Sequence, residues 1–273
     1  MSSPLTLFVY ESLTAGAYRE DARNSSLLAE GRAMAETIVS DFAALDQCRV
    51  VTIWGSRLRR LNVPNLKTYV ADSDEELRTF FRQCCEQADR VLIVAPECED
   101  VLRTTLQQSR EYGPDTIMNV SGTALNVGCD KWELAQFCER EEIPHLPTEL
   151  WTGQTWDRFP AILKPRDGAG CEKLCLLQEG PSLTDNTTDE RMIIQPFLSG
   201  VSLSSAACFT STGERRLTLP LGEQHLRFTD SVEYVGGRAA RCGEQRLTRG
   251  NSAVVPAAMI LRGYGGSPLR AHI

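Results

Sequence analysis

Three stretches of this chain combine charge with backbone freedom in ways that could hold a polyanion. The first is Leu163-Lys164-Pro165-Arg166-Asp167-Gly168-Ala169-Gly170. A lysine at the end of a strand presents a fixed cation, and glycines beside it let backbone N–H groups approach an anion closely. The G-x-x-x-x-G-K-[ST] order of a Walker loop is absent, and no G-x-G-x-x-G follows the first apolar run. A plain hairpin with a solvated lysine is the competing reading. The second stretch is Ile193-Ile194-Gln195-Pro196-Phe197-Leu198-Ser199-Gly200-Val201-Ser202. It is an apolar strand running into a short extended linker, whose backbone N–H and C=O groups could meet the edge of a heterocycle. Read without a ligand, it is a strand ending in a turn. The third is Asp130-Lys131-Trp132-Glu133, which places a lysine in the first turn of a helix, where a solvated surface lysine is the ordinary case.

The elements that must position these residues follow from apolar spacing. Leu5 to Tyr10, Arg49 to Trp54 and Val91 to Ala95 are apolar runs of strand length. Between the first two, Leu27, Leu28, Met34, Ala35, Ile38, Val39 and Phe42 recur at helical spacing, which predicts a helix over 25–42. Ser73 and Glu76 form a capping box that opens another helix. Runs that are apolar throughout, with helices between them, predict a parallel sheet covered on both faces. Residues 1–115 are therefore expected to form a Rossmann-like α/β domain. Further on, Asp130 can cap a helix from Lys131 to about Glu141. Phe159 to Pro165, Lys173 to Leu177, Arg191 to Phe197, Leu203 to Phe209 and Arg215 to Leu221 read as strands, mostly antiparallel, with a polar, turn-rich connection at 181–190.

In order and spacing these features resemble the ATP-grasp superfamily. There a lysine opens a helix, a second lysine ends a strand before a glycine-rich flap, and a linker holding adenine follows. The fold expected is α/β followed by α+β, a Rossmann-like parallel-sheet domain and then an ATP-grasp module with a first lobe over 116–185 and a second over 186–273. The resemblance implies that Lys131 and Lys164 hold ATP phosphates and that Gly168, Ala169 and Gly170 close over them. Gln195, Pro196 and Leu198 would take the adenine; Pro196 has no N–H and could offer only its carbonyl. Ser202 stands where many members carry a ribose-binding glutamate. A narrower resemblance, to the tyramine–glutamate ligase group and its bacterial relatives, rests on Tyr10-Glu11-Ser12-Leu13-Thr14-Ala15-Gly16, on Leu27 to Met34 and on Tyr234-Val235-Gly236-Gly237. It implies a substrate site at Glu11, Thr14, Gly16, Tyr234, Gly236 and Gly237. The loop Glu11 to Gly16 also follows the first strand, where open α/β sheets place ligands.

The activity implied is a carboxylate–amine ligation, with small-molecule carboxylate and amine substrates. ATP phosphorylates the carboxylate, and the amine displaces phosphate from the acylphosphate. Phosphoryl transfer of this kind depends on positioning and charge neutralisation. The family also implies Mg²⁺, bound through late acidic residues, because hard cations need oxygen ligands. Beyond Gly237 the only acidic residue is Glu244, and no Glu-x-Asn segment occurs. The module is therefore expected to be incomplete at the C-terminus. The alternative function is a catalytically inactive or truncated nucleotide-binding protein, and no metal-ligating residue is assigned.

Composition excludes several other classes. A net charge of -7 supplies no basic face for nucleic acid. No apolar run approaches the ~20 residues needed to span a bilayer, and Met1 to Thr6 lacks the character of a secretory signal, so a cytoplasmic protein without membrane partners is expected. The 10 cysteines include no C-x-x-C pair, and with 3 histidines they offer no metal-ligand spacing. Most are expected to be reduced thiols acting as small hydrophobes, with Cys171, in the glycine-rich loop, as the candidate for reactivity.

Overall fold

In the computed structural model the chain divides into two units, Met1–Asn119 and Val120–Ile273, and each is described by itself. The structure describes residues 3–16, 25–168, 171, 173–178, 191–210, 213–228, 232–239 and 258–262. The connection at 181–190, and with it the expected boundary between 185 and 186, lies outside the described residues.

The apolar runs of the first unit form a parallel sheet of β1 (Leu5–Glu11), β2 (Cys48–Gly55), β3 (Leu66–Ala71) and β4 (Arg90–Val94), in the order β3-β2-β1-β4. Leu7, Phe8 and Val9 are all buried, although successive strand residues face opposite sides; both faces of the sheet are covered. On one face Val39 and Ala43 of α1 (Ser25–Ala43) pack with Leu7, Val9 and Val50. Phe81 of α2 (Asp74–Gln87) meets the rings of Phe8 and Tyr10 edge-on, with centroids 5.9 and 4.8 Å apart. Met34, placed by spacing on the apolar stripe of α1, is instead exposed, and Ala35 and Val39 carry the contact. The cap of α2 also departs from a strict capping box. Ser73 Oγ accepts from Glu76 N as expected, but the Glu76 carboxylate accepts from Asp72 N, one residue before the cap. A third helix, α3 (Val101–Tyr112), follows β4. Cys84 and Cys85 are buried in α2, and burial pushes both thiols up to about 12, as expected of packing groups rather than nucleophiles.

The second unit begins with two short helices, α4 (Thr123–Cys129) and α5 (Lys131–Arg140). Its first sheet is antiparallel, with β5 (Glu149–Leu150), β6 (Ala161–Pro165), β7 (Cys175–Leu177) and β8 (Met192–Pro196) in the order β5-β8-β6-β7. Trp151, Trp156, Ala161, Leu163 and Ile194 form its core. A second sheet holds β9 (Leu203–Phe209), β10 (Arg215–Thr218), β11 (Gly222–Phe228) and β12 (Val232–Ala239), and β13 (Ala258–Arg262) runs parallel to β9. Thus an α/β unit with a Rossmann-like parallel sheet precedes an α+β unit. No helix among the described residues is long and apolar enough to cross a membrane.

Candidate functional site

Strand pairing places the candidate nucleotide residues. In the antiparallel β6–β8 ladder, Ile162 pairs with Gln195 and Lys164 with Ile193. Paired residues share a face and so do residues two apart, so Lys164 and Gln195 lie on one face. They are diagonal neighbours, roughly 7–8 Å apart at Cα by ordinary sheet geometry. Ala161, Leu163 and Ile194 turn to the opposite face, into the tryptophan-lined core. Lys164 therefore stands at the end of a strand whose other face is anchored by apolar packing.

The second lysine reaches the same place from α5. Asp130 caps this helix, its Oδ1 accepting from Trp132 N at 2.8 Å and Glu133 N at 3.3 Å. Lys131, the first helical residue, donates its backbone N–H to the Arg166 carbonyl at 2.8 Å. Its ammonium donates to the carbonyls of Arg166, Asp167 and Gly168, at 3.3, 3.0 and 2.8 Å. Lys131 is thus bound to the start of the loop that follows Lys164. Burial, and after it the Lys131 cation, bring the Lys164 ammonium down to about 8, with the Cys171 thiol working the other way. The Lys131 ammonium, on the carbonyls of Arg166 to Gly168, thus lies just past the end of the strand that carries Lys164. Among the described residues the Lys164 ammonium makes no hydrogen bond, while its backbone is paired with Ile193. Gly168 has φ of 83°, a backbone that favours glycine. Ala169 and Gly170 lie outside the described residues. Burial also raises the Cys171 thiol, with Lys164 opposing, so this cysteine is not pre-ionised.

Along the linker, Gln195 Nε2 donates to Thr148 Oγ1 at 2.6 Å, which orients the amide. Pro196 pairs with Ala161, and Phe197 N donates to the Pro160 carbonyl at 2.7 Å. Leu198 is 57% exposed, and its N–H makes no hydrogen bond among the described residues. The Ser202 carbonyl accepts from Gln224 N at 2.8 Å, tying the end of the linker to β11. Tyr234, Gly236 and Gly237 lie on β12. A Cβ added at Gly237 would sit 3.0 Å from the Tyr234 hydroxyl and 2.9 Å from the Glu223 carbonyl, so that hydroxyl lies over Gly237.

Glu11, Thr14 and Gly16 belong to the first unit, at the carboxyl end of β1. The order β3-β2-β1-β4 puts neighbours on both sides of β1, the kind of position where open sheets bind ligands. Glu11 is buried, with Oε1 accepting from Leu13 N at 3.1 Å and Oε2 from Thr14 N at 2.7 Å. Burial raises its pKa and the hydrogen bonds from Thr14 and Leu13 only partly offset it. Both carboxylate oxygens are taken by the loop itself, so Glu11 shapes the loop. The Thr14 hydroxyl donates to the Glu11 carbonyl at 3.2 Å, and Gly16 has φ of 97°. The Ser12 hydroxyl, not singled out by the sequence, is buried with no hydrogen-bond partner among the described residues. Gly31 on α1 presses on the carboxylate, since a Cβ there would lie 2.7 Å from Glu11 Oε1. A groove of about 440 Å³ elsewhere in this unit is lined by Thr6, Arg49, Lys67 and Gln87, among others, near the amino ends of the strands, and includes none of these residues.

Among the described residues no group of three or more His, Cys, Asp or Glu side chains could hold a metal ion, and no residue is assigned to magnesium. No step is derived through it.

The family model of the ATP-grasp domain matches residues 129–266, half of the chain, and that of the pre ATP-grasp 3 domain matches residues 48–123. The chain belongs to the ATP-grasp family. The loop at Glu11 precedes both matched segments. Among solved structures, the fold is similar to that of a protein from Archaeoglobus fulgidus described as an ATP-grasp superfamily member, with a TM-score of 0.62 and 24% identity over 88% of this chain and 67% of that one. It is similar also to an ADP complex of N5-carboxyaminoimidazole ribonucleotide synthetase (TM-score 0.50, 12% identity, 85% of this chain and 57% of that one). An L-amino acid ligase from Bacillus licheniformis gives a TM-score of 0.50 at 11% identity, over 84% of this chain and 53% of that one. The chain thus spans little more than half of the length of the last two. No curated protein sequence matches it.

Proposed function

We propose that the second unit binds ATP and that the protein is an ATP-dependent carboxylate–amine ligase acting through an acylphosphate. The observation that carries this is the binding of the Lys131 ammonium to the carbonyls of Arg166, Asp167 and Gly168, just past Lys164 at the end of β6, on the sheet whose face also holds Gln195. Two ammonium groups that repel each other are stabilised by a polyanion placed between them. Lys164 holds phosphate, and Lys131 does so from the first turn of α5. The Leu198 N–H, the Pro196 carbonyl and the Gln195 amide meet the adenine edge, and Ser202 lies near the ribose.

In the reaction the carboxylate oxygen attacks the terminal phosphorus of ATP and the bridging oxygen leaves with ADP. The amine nitrogen then attacks the acyl carbon, phosphate departs and the amine loses a proton. Lysines that neutralise phosphate oxygens lower the barrier to the first step by preorganised charge. Support for the ligase class comes from the L-amino acid ligase among similar folds, and support for the nucleotide from the ADP complex. Glutamate with an amine such as tyramine is the substrate pair proposed from the Glu11 to Gly16 and Tyr234 to Gly237 segments. Phosphate release from ATP, screened over amines with glutamate, tests the class. Release with an amine is the expected result. Release only with non-amine acceptors refutes the ligase, and ADP binding without release leaves the nucleotide site standing alone.

A further inference from the structure

The Asp130 carboxylate serves two elements at once. It caps α5 through Trp132 N and Glu133 N, and it receives the Arg166 guanidinium, with Nη2 at 2.6 Å from Oδ2 and Nε at 3.3 Å from Oδ1. The pair is mostly shielded, with side chains 18% and 27% exposed. Burial pushes the Asp130 carboxyl up, but the Arg166 hydrogen bond and the two helix N–H groups outweigh it and hold it below the ordinary value. Arg166 is also held by its backbone: its N–H donates to the Arg191 carbonyl at 2.7 Å and its carbonyl accepts from Lys131 N at 2.8 Å. The residue two after Lys164 is thereby stitched to the residue before Lys131.

We infer that Asp130 and Arg166 are a positioning pair that sets the two lysines against each other for nucleotide phosphate. Neither side chain needs to touch the nucleotide. Arg166 is the fork that matches a carboxylate with two bonds, which fixes orientation as well as distance. The Lys131 ammonium, held by three successive carbonyls from Arg166 to Gly168, is the part that can exchange those carbonyls for phosphate. The ion pair keeps the base of the loop in place while it does so. The inference rests on the nucleotide reading of this site.

Titration calorimetry with ADP and with adenosine tests it, on wild type, Arg166→Met, Arg166→Lys and Asp130→Asn, with a melting curve for each. Asp130→Asn keeps an oxygen to cap α5, so it removes the charge pair without removing the cap. ADP affinity is expected to fall about tenfold in Arg166→Met and Asp130→Asn, with adenosine affinity unchanged, because only phosphate contacts depend on the pair. Arg166→Lys, which keeps the charge but not the fork, should recover part of the loss. ADP affinity equal to wild type in the first two variants overturns the inference and leaves the nucleotide site standing. Equal losses for ADP and adenosine also overturn it, since a general loosening would act on both. If wild type binds no ADP, the nucleotide reading fails and takes the inference with it.

Discussion

Lys164 makes the nucleotide site sensitive to pH in a range where few side chains titrate. Burial and the Lys131 cation bring its ammonium down to about 8 from the ordinary 10.5. Phosphate prefers the charged form, so binding strength is present below about pH 8 and lost above it. For a single group of pKa about 8, the charged fraction is roughly 0.9 at pH 7 and roughly 0.1 at pH 9, so ADP affinity should fall about tenfold over that interval. The second ionisation of a phosphate, near pH 6, is complete before the interval begins. The assay is ADP titration calorimetry at half-unit steps from pH 7 to 9. Lys164→Arg should give a flat profile, since arginine stays charged throughout. Stability without nucleotide supplies the opposite sign. Between about pH 8 and 10.5 the unfolded chain holds a proton that the folded one has lost, so the Lys164 contribution to stability rises with pH there. A wild-type affinity constant to within twofold from pH 7 to 9 would refute the reasoning, because Lys164 would then not be the ammonium that phosphate selects.

Two further outcomes follow from close backbone approaches. In Gly31→Ala, helix propensity alone gives a gain of about 1 kcal/mol, but the new Cβ would lie 2.7 Å from a Glu11 carboxylate held by two N–H groups, and overpacking costs about 1–3 kcal/mol. Urea unfolding should show a net loss, and in a Glu11→Ala background the same substitution should become stabilising; a loss that persists there contradicts the contact. Gly237→Ala should push β12 away from the Glu223 carbonyl and displace the Tyr234 hydroxyl, and faster amide exchange over 232–238 than in wild type is the readout.

The elements that hold the site were readable where burial is two-sided or a cap is present. β1, β4, β6 and β8 are apolar runs, and the Asp130 cap of α5 is as the sequence predicts. β3 was missed because it is an edge strand whose second residue, Lys67, is exposed and breaks the apolar run. α3 and α4 were missed because their caps are backbone conformations without a side-chain hydrogen bond: Asp100 is left-handed and Gly122 has φ of 57°. β11 and β12 give no alternation signal, since Glu223, Gln224, His225 and Arg227 are exposed along β11. At the site, types and order pointed to Lys131, Lys164 and Gln195, but long-range pairings were invisible. Nothing local predicts that Arg166 returns to Asp130 or that Lys131 holds three carbonyls of the loop. The burial of Glu11 was equally hidden, because a charged residue after a strand reads as an exposed connection.

The central claim is that phosphate is held in the second unit at the end of β6. ADP titration calorimetry at pH 7, on wild type and on Lys164→Ala, tests it most directly. Saturable one-site binding in wild type, weakened at least tenfold in Lys164→Ala with the melting temperature retained, is the predicted result. Equal affinity in the two proteins, or no binding in either, contradicts it.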